Sequence, residues 1–216
     1  MPSPRLIRLA AVALVLSAVT TLLGYTVHPA PELASLTTST WAISHLLLWV
    51  GALAGIAGVV GLSLRQREAT ASLGLIGGAL AIAGLMALSG AYFYEALIVP
   101  VLASEVPALM RAFPGEETWG TYRTAVALSG ALLGVGFLLL AIAMYRAAVL
   151  PRWAAVLATI GAIGAGVGFL LPRPVALLVF AVLGVGLVGL GYGLWTSATQ
   201  SESTNEPARE ATNAPA

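Results

Sequence analysis

The sequence contains no cysteine, no lysine and no aspartate. The first absence excludes disulfides, thiolate metal sites and cysteine nucleophiles. Charge is scarce: ten arginines and nine glutamates make up 9% of the 216 residues, against about a quarter in a soluble domain. The net charge of +1 and the lack of any dense basic patch argue against a nucleic-acid partner. Catalytic signatures are missing as well. There is no H-E-x-x-H, no G-x-S-x-G, no P-loop and no paired-aspartate site. The G-x-G steps at Gly166/Gly168, Gly184/Gly186 and Gly191/Gly193 follow no strand, so they are not a nucleotide fingerprint. An enzyme is therefore the least supported class.

What is present is apolar. Hydrophobic residues are 59% of the chain, and the mean hydropathy is +0.94. Such a chain cannot cover a water-facing surface, so lipid must be its solvent. The runs and breaks predict an all-α integral membrane bundle of six transmembrane helices, over about 6–27, 40–64, 71–99, 119–145, 153–171 and 175–196. The first is read as a span rather than a cleaved signal, because its apolar run is near 20 residues and the cleavage pattern around His28-Pro29-Ala30 is poor. A charged turn is expected at Arg65–Thr70, and Pro100 is expected to weaken the third helix. Residues 103–118 form the longest loop. Residues 197–216 are polar and are expected to be a disordered cytoplasmic tail.

Arginine placement orients the spans. Arg5, Arg8, Arg65, Arg67, Arg146 and Arg152 fall on one side, Arg111 and Arg173 on the other. The positive-inside rule then puts both termini in the cytoplasm of a multi-pass cell-membrane protein. Tyr25, Trp41, Trp119 and Tyr122 form an outer aromatic belt, and Tyr145, Trp153, Tyr192 and Trp195 an inner one. Glycines spaced by four (Gly51/Gly55, Gly130/Gly134, Gly164/Gly168, Gly189/Gly193) predict close helix packing. The alternative use of those faces is a homo-oligomer or another membrane-protein partner. The arginine turns after the second and fourth helices echo one another faintly, which positive-inside selection alone would produce.

Three ionisable residues lie within spans: His45, Glu95 and Arg123. Each sits roughly 6–8 Å inside the outer end of its helix, at 1.5 Å per residue. Gly77, Gly84, Ala91 and Glu95 share a side of the third helix, with Tyr92 beside it. Arg123 shares a side with Ala127, Gly130 and Gly134. Small-residue sides usually face protein, so Glu95 and Arg123 are expected to point inward and pair. His45 or Tyr92 is the further hydrogen-bond partner. Trp41, His45 and Trp49 form an i, i+4, i+8 stripe that lines a pocket or faces headgroups. The cluster reads either as a clasp between helices or as an outward polar cavity that binds a ligand or passes protons. Only His28 and His45 could ligate a haem, and they lie at different depths. No metal-ligand spacing is present. Neither a cofactor nor a metal is expected.

Ser44-His45-Leu-Leu-Leu-Trp-Val-Gly51, Tyr94-Glu95-x4-Pro100 and Tyr145-Arg-Ala-x3-Leu-Pro-Arg-Trp153 together resemble a group of uncharacterised small polytopic prokaryotic membrane proteins. The resemblance covers roughly residues 40–195. It implies a bundle of about six spans and brings no activity, substrate or site residue. The function expected is a small transporter or ligand sensor built on His45, Glu95, Arg123 and Tyr92. The alternative is a non-catalytic membrane subunit or scaffold acting through glycine-rich packing.

Overall fold

The computed structural model describes residues 3–110, 120–168 and 171–213. Arg111, Trp119 and the glutamates of the 103–118 loop beyond Met110 lie outside the described residues. Helix makes up 91% of the structure, with no strand among the described residues, so the architecture is an all-α bundle. Five helices are long and apolar enough to cross a membrane.

Helix α1 spans Pro4–Val27. The Ser3 hydroxyl accepts from the Leu6 amide at 3.3 Å, and Pro4 supplies a ready-made first-turn φ. It ends because His28 precedes Pro29 and takes an extended backbone. Helix α2 is the single turn Leu33–Leu36. Helix α3 covers Ser39–Glu105 and is capped by Thr38, whose hydroxyl accepts from the Trp41 amide at 3.2 Å.

A straight helix of the 67 residues in α3 would be about 100 Å long. Instead it folds back, because His45 meets Glu95 and Trp49 meets Phe93. Its arms are Ser39–Arg67 and Ser72–Glu105, each long enough for a span. The expected break at 65–70 is thus a reversal within helical backbone. Pro100 does not end the second arm either, which runs on to Glu105. Membrane helices tolerate such a proline where neighbours re-satisfy the freed backbone groups.

Helix α4 is Pro107–Met110, α5 is Gly120–Ala147, α6 is Arg152–Gly166 and α7 is Arg173–Asn213. Two departures from the sequence expectation matter. Helix α6 has 15 residues, about 22 Å, short of a hydrocarbon core of about 30 Å. Glycines at 164, 166 and 168, followed by Pro172, weaken the stretch that was expected to complete the fifth span. Conversely, α7 passes Thr196 and is helical to Asn213, where a disordered tail was expected. The span supplies the helix nucleus, and Ala198, Gln200, Ala208 and Ala211 extend it in spite of Pro207.

The elements close into a ring, ordered α1, first arm of α3, second arm of α3, α5, α6, α7 and back to α1. Glycines set these contacts. A Cβ on Gly84 would lie 2.7 Å from the Leu133 amide of α5, and one on Gly191 would lie 2.9 Å from the Ala11 carbonyl of α1. Gly130 of α5 meets Gly166 backbone to backbone. The main apolar core continues along the bundle through Leu14, Leu133 and Phe180, and it fills one end of the ring with Leu62, Leu140, Leu190 and Leu194. That end carries the arginines: Arg65 donates to Ser197 at 3.1 Å, Arg8 lies 5.6 Å from the Trp195 ring centre, and Arg152 lies 4.5 Å from that of Tyr145. At the opposite end a small cluster of Leu36, Trp41, Val99, Ala103 and Met110 pins the short helices α2 and α4.

Candidate functional site

The second end of the ring is not filled. It holds a cavity of about 590 Å³ lined by all five long elements and by the end of α6. The short α6 explains it. Gly166, the last residue of α6, packs on Gly130, ten residues past the start of α5 and so roughly 15 Å along its axis. Beyond that level no helix among the described residues stands between α5 and α7, and Gly168 and Leu171 line the cavity there.

The lining is divided by depth. The shaft is apolar but for Ser17 and Thr21, with Leu14, Val59, Leu85, Leu133, Phe137 and Leu187 at its inner part. The mouth collects Tyr25, His28, His45, Tyr92, Glu95, Tyr122, Arg123 and Arg173. All four residues singled out from the sequence, His45, Glu95, Arg123 and Tyr92, therefore line one cavity.

Glu95 meets His45, one of the further partners expected for it, and Tyr122, which was not expected. One Glu95 carboxylate oxygen faces His45 Nε2, and the other accepts from the Tyr122 hydroxyl. The backbone carbonyl of Glu95 accepts from the Trp41 indole N–H at 2.8 Å. Glu95 thus ties the two arms of α3 to each other and to α5. Arg123 is an exposed residue on the cavity wall. His45 is 1% exposed, while the Glu95 side chain keeps 18% exposure, so the carboxylate is the accessible member of the pair. Tyr92 faces Tyr25 hydroxyl to hydroxyl at 3.5 Å.

Hydrogen-bond chemistry fixes the histidine protons. His45 Nδ1 lies 2.8 Å from the Trp41 carbonyl, and His28 Nδ1 lies 2.7 Å from the Pro29 carbonyl. A carbonyl can only accept, so both Nδ1 atoms carry a proton. The remaining nitrogens, the two Nε2 atoms, face each other at 3.3 Å, and that of His45 also faces Glu95. Three acceptors (two imidazole nitrogens and a carboxylate oxygen) converge, and one proton held among them satisfies the contact. His28, His45 and Glu95 can thus hold a proton among them at the cavity mouth, beside the Tyr122 hydroxyl that donates to Glu95. His28 lies beyond the end of α1 and has its pKa lowered from the ordinary 6.5, first by burial and then by His45.

Sequence reasoning missed four mouth residues as site members: His28, Tyr25, Tyr122 and Arg173. Tyr122 adjoins Arg123 and occupies the depth of Glu95, which was the available signal. Arg173 donates to the Thr26 carbonyl at 2.9 Å across the chain, and no local pattern encodes that contact. The aromatic stripe divides. Trp41 and His45 line the cavity, whereas Trp49 packs on Phe93 with ring centres 5.5 Å apart. Among the described residues no group of three or more His, Cys, Asp or Glu could hold a metal ion.

No protein family, curated protein or solved structure that was compared matches this chain. The functional reading therefore rests on the cavity itself.

Proposed function

We propose that this chain is a small multi-pass cell-membrane protein that binds a ligand in an outward-facing cavity, as a transporter or a ligand sensor. The observation that carries the reading is the cavity: about 590 Å³, inside the usual range of small-molecule sites, with converging polar groups over an apolar interior. A bundle whose polar residues served packing alone would close around them. Here Glu95 stays accessible while its partner His45 is buried.

Six crossings are part of the proposal. Arg173, at the start of α7, bonds to Thr26 at the mouth end, and Tyr122, near the start of α5, is at that end too. Helix α5 therefore finishes at the arginine end, and α6 must carry the chain back. Both termini then lie on the arginine side, which the positive-inside rule assigns to the cytoplasm. The mouth faces outward.

A second reading, a scaffold that acts through packing with His45 and Glu95 as a clasp, draws on the buried His45–Glu95 contact. Against it, glycines 77, 84, 130, 161 and 186 are already occupied by helices of the same chain. The test is a thermal-shift screen of small molecules against wild type and a cavity-filled Ala52→Phe variant. Ligands that raise the wild-type Tm and fail to raise that of the variant are expected, since a binder of the folded state stabilises by mass action. If every shift is the same in both proteins, the cavity is not the binding site and the scaffold reading takes its place.

A further inference from the structure

The form of the cavity narrows its ligand class. The lining continues along whole helix faces rather than ending at the mouth. On α7 it follows Arg173, Ala176, Phe180, Leu183 and Leu187. From Arg173 to Leu187 is 14 residues, roughly 20 Å at 1.5 Å per residue. On α1 the lining runs from Tyr25 down to Leu14, roughly 16 Å. Most polar groups occupy the first turns of each face, and below them only Ser17 and Thr21 of α1 interrupt the apolar lining. Below Tyr92 the second arm contributes Ala91, Leu88 and Leu85, and below Tyr122 and Arg123 α5 contributes Val126, Gly130 and Leu133.

A compact polar solute would satisfy the mouth and leave this shaft to water, which apolar walls do not hold. A purely apolar solute would fill the shaft and leave the accessible Glu95 carboxylate and the tyrosine hydroxyls against hydrocarbon, at a desolvation cost. An occupant with both parts matches both walls. We infer, on the basis of the ligand-binding reading above, that the cavity takes a single-chain amphiphile, with one acyl or isoprenoid tail in the shaft and a small oxygen-bearing head at the Tyr92–Glu95–Tyr122 mouth. The walls also favour one chain over two. Phe180 stacks on Tyr25 with ring centres 3.5 Å apart, and a volume of about 590 Å³ spread over this length leaves a narrow shaft. The stunted α6 adds a route. Above Gly166 no helix among the described residues stands between α5 and α7, and this is the side from which a molecule dissolved in a bilayer would enter.

The test is native mass spectrometry of the delipidated full chain with four probes: palmitic acid, monopalmitoylglycerol, tail-free monobutyrylglycerol and two-chain dipalmitoylphosphatidylcholine. Two shaft-filling variants, Ala52→Phe and Leu187→Trp, guard against one failing to fold. Leu178→Phe, on the exposed outer face, controls for lipid on the surface. The expected result is one palmitoyl probe bound per chain, weakened roughly tenfold or more in whichever shaft variant folds and unchanged in Leu178→Phe. The phosphatidylcholine signal should be insensitive to the shaft variants. If monobutyrylglycerol binds as tightly as monopalmitoylglycerol, the amphiphile inference falls and the ligand-binding cavity stands. If no probe responds to the shaft variants while the thermal-shift screen yields a cavity-dependent ligand, the tail is again the failed part. Failure of both experiments removes the cavity reading as well.

Discussion

Glu95 decides more of this molecule than any other residue. Its side chain meets His45 and Tyr122, and its backbone carbonyl holds Trp41. Removing one partner of a contact that is buried on one side leaves the other polar group without its hydrogen bond, which in soluble cores costs about 1–3 kcal/mol. Near a membrane interface the expected cost of Glu95→Gln is about 2 kcal/mol. His45→Gln should cost a similar amount, and the double variant less than the sum, with a coupling of about 1–3 kcal/mol for groups in contact. Denaturation of the two single variants and the double variant in one detergent checks this. Fully additive effects would contradict the pairing.

His28 supplies the pH dependence. Its pKa is lowered in the folded protein, so the folded state binds fewer protons there than the unfolded chain does. The stability it contributes is present above the unfolded value of 6.5 and is lost as pH falls from there toward the folded value. Wild type should therefore lose thermal stability between pH 7.5 and 5.5, and His28→Gln should lose visibly less. Identical pH profiles for the two proteins would remove His28 as the source. Depth alone located His45, Glu95 and Arg123 in the sequence, because each interrupts an apolar run. The choice between His45 and Tyr92 as partner was not legible: it depends on which helix faces meet, and the fold-back of α3 brings His45 onto Glu95.

At the scale of elements, glycine position separates packing from filler. A Cβ on Gly84 would meet the Leu133 amide and the Ser129 carbonyl at 2.7 Å, both of them backbone atoms that cannot step aside. Gly84→Ala should force the second arm of α3 from α5 and destabilise by about 1–3 kcal/mol. Gly90 has nothing within 4 Å. Gly90→Ala should be neutral or stabilise by up to about 1 kcal/mol through helix propensity. Paired unfolding curves check both, and equal effects would mean that the α3–α5 contact is looser than described. The sequence showed that glycine faces pack, but not which helix each face meets. It also showed the apolar lengths of five elements. The sixth was overestimated because 153–171 is apolar throughout, and apolarity does not report the weak helix propensity of its closing glycines.

For the whole molecule, the consequence of that short sixth helix is a bundle packed solid at its arginine end and hollow at the other. The depth of the cavity follows from where α6 stops, which is why the sequence offered an outward polar cavity only as one of two readings and did not show its apolar shaft. The absence of cysteine gives direct access to this account, since any introduced thiol is the only one in the chain. The measurement is sided labelling of Tyr92→Cys at the mouth and Leu194→Cys in the solid end, in intact cells and in inverted vesicles, with the membrane-impermeant cationic methanethiosulfonate reagent MTSET. The account expects Tyr92→Cys to react from the outside of cells, and Leu194→Cys to react from neither side until the protein is denatured. Reaction of Tyr92→Cys only from the cytoplasmic side would invert the topology. A Tyr92→Cys thiol silent from both sides would contradict the open cavity.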